Sequence, residues 1–216
     1  MIKNKIINFF SLLLETGTNQ NEELIYANVW HDTIKGITWI DDTFSISPGR
    51  WAVGYNYLYV MTRILNDFKP KKILEMGLGI STSLISVYMK WQISEKKDEL
   101  EHIVLEHDAN WIKFYTKSHS ISDSIRDKKF NVNSIDGPFG SYEQSRTDII
   151  KFLPNVLEKD FCIIMDDYNR LPEKKTIQRI RDVLSECGIN TCFGVYKGNC
   201  DVAVIASESN RFLCSL

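Results

Sequence analysis

The segment Lys71-Lys72-Ile73-Leu74-Glu75-Met76-Gly77-Leu78-Gly79-Ile80-Ser81 constrains this chain more than any other. It reads as a buried strand that ends on an acid, a turn through two glycines, and a helix from Ser81 to Trp91. Gly77 and Gly79 let the backbone take positive φ and let a ligand approach main chain that carries no Cβ. The first helical turn, with Ser81 and Thr82, offers unpaired N–H groups to that ligand. Glu75, on the strand tip, can accept a hydrogen bond from a ligand cation or hydroxyl. Such parts predict a nucleotide-type pocket at the carboxyl end of a parallel sheet. The plainer alternative is a glycine turn that holds nothing.

The spacing is not that of a dinucleotide site, which needs a third glycine where this chain has Thr82, and an acid about 20 residues further on. "LEMGLGIS" resembles motif I of class I S-adenosylmethionine-dependent methyltransferases instead. That resemblance implies a Rossmann-like α/β fold with a mostly parallel sheet, an antiparallel last strand and helices on both faces. It also implies that the glycine loop passes under the methionine part of the cofactor.

The remaining sequence is consistent with that layout. Residues 2 to 15 read as a helix broken by Gly17 to Asn21, and residues 22 to 50 as irregular. Arg50 to Phe68 has helical spacing and stops at Pro70. Residues 1–69 thus form an N-terminal helical cap and 70–216 the cofactor-binding domain, together one compact unit. His102 to Glu106 is a second strand, Ala109 to Lys117 its helix, and residues 118–129 leave little room for a third strand and crossover. Phe130 to Ile135 is the next strand. Ser145 to Leu157 reads as a helix kinked by Pro154. Phe161 to Met165 is fully apolar, as a central parallel strand should be. Glu173 to Cys187 is a helix closed by Gly188, and Thr191 to Tyr196 with Val202 to Ala206 form a terminal hairpin.

Four strand tips then carry acids: Glu75, Glu106, Asp136 and the pair Asp166-Asp167. Glu106 follows the glycine turn by one βαβ unit, the place from which an acid accepts both hydroxyls of a ribose. The alternative is a solvated acid, with His107 or Asp108 making that contact. Asp136, Asp166 and Asp167 would repel one another unless a cation sits between them. Oxygen ligands suit Mg²⁺, which would bind a diol, lower the hydroxyl pKa and orient the oxygen. Otherwise Asp166 caps a turn and Asp136 touches only the cofactor. Arg146 and Arg170, just past this rim, either hold an anionic substrate group or pair with the rim itself. Trp39, Phe44, Trp51 and Tyr55 either cap a sugar and adenine or pack in the core.

The acidic constellation resembles that of metal-dependent O-methyltransferases of the catechol type, with Asp167 standing where that group has Asn. "IIMDDYNR" is similar to the "DDY" segment of macrocin-type sugar O-methyltransferases, and "IDGPFGS…SR" to the "DGP-G" segment of glucuronoxylan methyltransferases. These likenesses imply a sugar or polysaccharide-precursor acceptor, with Asp136, Asp166 and Asp167 as metal ligands and Asp136 also at the cofactor. The chain departs from the catechol pattern at Phe139, which replaces the lysine base. Asp167 or His107 is then expected to take the proton.

Composition narrows the alternatives. With 26 Lys plus Arg against 28 Asp plus Glu, there is no broad phosphate-tracking surface and nucleic acid is not an expected partner. Five cysteines without a C-x-x-C pair point to reduced thiols and a cytoplasmic setting. The apolar run Ile6 to Leu14 is too short for a membrane span and lacks a small-x-small cleavage site; it reads as a buried or docking helix, with a homodimer possible. The expected function is an S-adenosylmethionine-dependent O-methyltransferase. Its competitors are an inactive methyltransferase-fold module that binds a nucleotide or partner, and an NAD-dependent oxidoreductase.

Overall fold

The computed structural model describes residues 2–41, 44–48, 52–96, 100–106, 125, 127–137 and 145–216. Six strands form one sheet: β1 (Lys72–Met76), β2 (Glu101–Leu105), β3 (Phe130–Ile135), β4 (Leu157–Met165), β5 (Thr191–Tyr196) and β6 (Val202–Ser207). Their spatial order is β2-β1-β3-β4-β6-β5. Strands β2, β1, β3 and β4 pair in parallel, while β6 runs antiparallel to both β4 and β5. This is a Rossmann-like α/β arrangement, a mostly parallel sheet with the expected antiparallel last strand. The chain leaves β1 toward β2 on one side and returns as β3 on the other. The junction between β1 and β3 is therefore the topological switch point, where open α/β sheets bind ligands.

The strands are apolar because both faces are covered. On one face lie α1 (Ile2–Lys35), α2 (Tyr55–Arg63) and α3 (Ile80–Lys96), where Tyr57, Leu58, Leu84 and Tyr88 meet Ile73, Val132 and Ile164. On the other, α4 (Leu171–Glu186) sends Ile177, Ile180 and Leu184 against Phe161, Ile163 and Ile205. Alternate residues of β4 go to opposite clusters, as the two-residue strand period requires. Among the described residues of the N-terminal segment, Trp30, Trp39 and Tyr57 belong to the same cluster as the sheet.

Several boundaries differ from those expected. The break at Gly17 to Asn21 is not there: α1 runs unbroken to Lys35. Its second half is held by packing that overrides weak local propensity. Trp30 is buried and its indole N–H donates to Thr62 Oγ1 at 3.0 Å. The second helix starts at Tyr55, ends in a π-helical turn at Ile64–Phe68, and stops at Lys69 in the left-handed conformation. Helix α3 continues to Lys96, past the end expected at Trp91. The kinked helix at Ser145 to Leu157 is replaced by a single 3-10 turn, Asp148–Phe152, a cis Leu153–Pro154 bond, and an early start of β4 at Leu157. There the N–H of Phe130 donates to the Val156 carbonyl at 2.9 Å and that of Leu157 to the Pro154 carbonyl at 3.0 Å, satisfying groups that a helix would have used internally. Helix α4 ends as expected, with Gly188 at φ 72° and the N–H groups of Gly188 and Ile189 on the carbonyls of Ser185 and Leu184.

The helix expected at Ala109 to Lys117, most of the clipped crossover at 118–129, His107, Asp108 and Trp51 lie outside the described residues. Among the described residues all five cysteines are free, and no helix is long and apolar enough to cross a membrane.

Candidate functional site

The site is built at the switch point from two backbone bends pressed together. After β1 the chain turns at Gly77 with φ 100°. After β3 it turns at Asp136-Gly137, whose two N–H groups both donate to Met76 O at 2.8 Å. A Cβ on Gly77 would lie 2.8 Å from the nitrogen of Gly137, and one on Gly137 would lie 3.0 Å from the Cα of Gly77. Glycine is therefore required here by main chain, besides any ligand. Gly137, which sequence reading did not single out, is the partner that makes Gly77 obligatory. Gly79 is different: it is exposed, and an added Cβ would meet nothing within 4 Å. Its N–H donates to Thr82 Oγ1 at 3.0 Å, which caps the start of α3.

Each acid expected on the rim is there, with distinct surroundings. Glu75 is fully buried and accepts from Ser81 Oγ at 2.6 Å, while its second oxygen meets His102 Nε2 at 2.9 Å. It fastens the glycine turn to α3 and β2 through the protein's own groups. Glu106 accepts the N–H of Leu78 at 2.8 Å and is half-buried at the mouth of the turn. Its carboxylate thus already lies against the glycine loop, where a nucleoside bound on that loop would meet it.

Asp136, Asp166 and Asp167 come together: one carboxylate oxygen from each lies within 4.8 Å of the others. Burial and the charge of Asp166 hold the Asp136 carboxyl well above the usual carboxylate range. Burial and the charge of Asp167 raise Asp166 to about 7. Among the described residues, one oxygen of Asp166 is buried with no hydrogen-bond partner, a costly state that asks for a cation or a proton.

A cation already enters the cluster. Arg146 is 4% exposed and donates to Asp167 Oδ2 at 2.6 Å, to Asp136 Oδ1 at 3.3 Å and to the carbonyl of Asp166 at 2.6 Å. Burial works against its charge, but Asp136 and Asp167 outweigh that and raise its pKa. Arg170, on the exposed side, pairs with Asp167 Oδ1 at 2.9 Å. Of the two roles open to these arginines, the structure displays pairing with the rim. Both Arg146 and Asp167 take left-handed backbone, at φ 57° and 61°. Such turns cost a non-glycine residue about 1 kcal/mol and persist where the surroundings fix them.

Beneath the rim, Tyr57 and Ser134 share a 2.6 Å hydrogen bond between α2 and β3. Burial raises the Tyr57 phenol well above its ordinary value, and the nearby charges of Asp136, Glu75 and Asp166 add to it. Trp39 packs edge-on against Tyr88 in the core rather than over a ligand. His102, Tyr57 and Ser134 carry no sequence signal as site residues: each looks like an ordinary member of an apolar element.

No protein-family model matches the chain, and no curated protein matches it. Among solved structures, a protein-(glutamine-N5) methyltransferase of Alicyclobacillus acidocaldarius is similar over 76% of this chain and 99% of its own, at 14% identity and a TM-score of 0.43. The SAH-bound methyltransferase PaMTH1 of Podospora anserina is similar over 93% and 95%, at 12% identity and a TM-score of 0.37. A spermidine synthase of Thermotoga maritima is similar over 71% and 59%, at 14% identity and a TM-score of 0.37. At these scores the likenesses say nothing about what this chain binds.

Proposed function

We propose that this chain is an S-adenosylmethionine-dependent O-methyltransferase whose acceptor is a hydroxyl of a sugar or polysaccharide precursor. One observation carries the reading: a glycine turn backed by Glu106 and a buried three-carboxylate cluster share a single backbone junction, Met76 O with Asp136-Gly137. Gly77 to Thr82 would hold the cofactor, with Glu106 available to its ribose hydroxyls, and Asp136 and Asp166 would face the acceptor.

The donor set fits Mg²⁺. It is all oxygen, it is compact, and Asp166 keeps a buried oxygen without a partner. Asp136 and Asp166 would hold the ion, with Asp167 beside them on its two arginines. When bound, the ion supplies Lewis-acid activation of the acceptor hydroxyl. The chain's own residues do the rest. The oxygens of Asp167 lie on Arg146 and Arg170, which disfavours it as the proton acceptor expected from sequence; Asp166 would take that role through whichever of its oxygens the ion leaves free. S-adenosylmethionine would supply the methyl carbon, its S–CH₃ bond giving way to O–CH₃ and S-adenosylhomocysteine leaving, while the carboxylate corner would take the hydroxyl proton. The opposite charges of sulfonium and carboxylate would cancel, so fixed dipoles and partial dryness at the site favour the transfer.

Arg146 inside the acid cluster favours a second reading: a module that binds the cofactor, holds its own counter-ion and does not turn over. Calorimetry with S-adenosylhomocysteine and NAD, and a tritiated-methyl screen of nucleotide sugars with Mg²⁺ or EDTA, separates the possibilities. The expected outcome is binding of the homocysteine product, transfer that EDTA abolishes, and Asp166→Ala that loses transfer yet keeps cofactor affinity. Preference for NAD would overturn the reading. Tight product binding without transfer to any sugar would support the silent module.

A further inference from the structure

The N-terminal cap reaches the acceptor side of the site through one carboxylate. Glu23, on α1, accepts the N–H of Tyr55 at 2.5 Å and the N–H of Asn199 at 3.4 Å, joining residues far apart in the sequence. Main-chain N–H groups bonded to a carboxylate are charge-assisted and hold both segments firmly. Two glycines make room for it. A Cβ on Gly54 would lie 2.9 Å from a Glu23 oxygen, and one on Gly198 would lie 2.8 Å from the other. Fully buried Asn56 completes the joint by donating to the carbonyls of Tyr196 and Cys200 at 3.1 and 2.7 Å.

What this joint grips is the turn between β5 and β6, residues 197–201. The far side of that turn lies against the acid corner. The Cys200 thiol meets the Asp167 carboxylate, and the carbonyl of Asp201 accepts the N–H of Tyr168 at 2.7 Å. Lys197 pairs with Asp201 at 2.6 Å across the turn itself. Asp167 occupies left-handed backbone, and the Tyr168 N–H just after it is tied to this turn. A corner in a sparsely populated conformation keeps its shape only when neighbours on several sides fix it.

We propose that Glu23 is a positioning residue for the Asp166-Asp167 corner, acting through the turn at 197–201. The assignment of that corner to the acceptor rests on the methyltransferase reading; the mechanical link does not. Glu23 touches neither the glycine turn nor Glu106 in any described contact, so its effect is confined to one half of the site.

The test compares the full chain with Glu23→Ala and Glu23→Gln by hydrogen exchange, by calorimetry with S-adenosylhomocysteine, and by Mn²⁺ titration. In Glu23→Ala, the Asn199 and Tyr168 amides are expected to exchange about tenfold faster while β1 and β3 amides stay within about twofold, the mark of a local opening. Product affinity should stay within about twofold and Mn²⁺ affinity should fall about fivefold or more, a change that a role in fold stability would not single out. Glu23→Gln keeps one acceptor oxygen and should fall between. Unchanged Tyr168 exchange overturns the proposal, and so does uniform acceleration across the sheet. If the parent chain binds no S-adenosylhomocysteine, the methyltransferase reading fails. If it takes up no Mn²⁺, the metal assignment fails, and the Tyr168 amide alone decides for or against the link.

Discussion

The two halves of the site are held by different forces. At the glycine turn, Gly77 and Gly137 meet backbone to backbone, and the loop's hydrogen bonds run to Met76 O, Leu105 O, Thr82 and Glu106. At the acid cluster, side chains from three separate segments gather: Asp136 after β3, Arg146 before the 3-10 turn, and Asp166-Asp167 after β4. The first half is a question of space, and the second a question of charge. A steric junction either fits or fails, whatever the solution contains. An ionic cluster can exchange one counter-ion for another and responds to pH and metal.

The largest expected effect tests the ionic half. Arg146→Met strips the buried acids of their counter-ion and should cost about 3–5 kcal/mol in metal-free buffer, read by urea unfolding. Adding Mg²⁺ should recover part of that loss. A loss below about 1 kcal/mol would mean that Arg146 is not what balances the cluster, and the contrast drawn above would fail. Next comes the steric half. Gly77→Ala meets both a left-handed φ of 100° and the nitrogen of Gly137. It should cost about 2–4 kcal/mol, unchanged by Mg²⁺ or pH.

Asp166 sharpens the comparison through pH. Its carboxyl keeps a proton up to about 7 when folded, against about 3.9 in an unfolded chain. Between those values the folded state binds more protons, so stability is greatest below the unfolded value and declines as pH rises through the folded one. Asp166→Asn should remove the decline, matching the parent near about pH 4 and exceeding it by about 1–3 kcal/mol near about pH 8. Denaturant midpoints across that range check it, and an identical slope in both proteins would assign the titration elsewhere. The smallest effect belongs to Gly79→Ala, which meets no neighbour and should shift stability by less than about 0.5 kcal/mol. If it nevertheless abolishes binding of S-adenosylhomocysteine, the bare main chain at Gly79 serves the ligand, which is the role expected of both glycines from sequence.

Legibility followed the same divide. The motif from Lys71 to Ser81 announced the turn because strand, acid, glycines and helix start are consecutive, and local rules suffice there. The acids at 136, 166 and 167 were legible too, since each ends an apolar strand and parallel topology sends such ends to one edge. Arg146 was visible only as a cation near the rim. Its burial between Asp136 and Asp167 depends on a 3-10 turn where helical spacing predicted a kinked helix. The run through Gly17 and the Glu23 joint were illegible for a related reason: propensity favours a break, and the packing of Trp30 and the bond to Asn199 override it.

By itself, then, the sequence determined the order of the strands, the place of the glycine turn and the acids that crown the sheet, because periodicity and turn chemistry act between near neighbours. Tertiary structure alone decided why Gly77 must be glycine, which cation balances the acids, and how the N-terminal helix grips the last turn. Those outcomes are set by contacts across 10 to 176 residues of chain, where register and close packing, rather than local preference, select the partner.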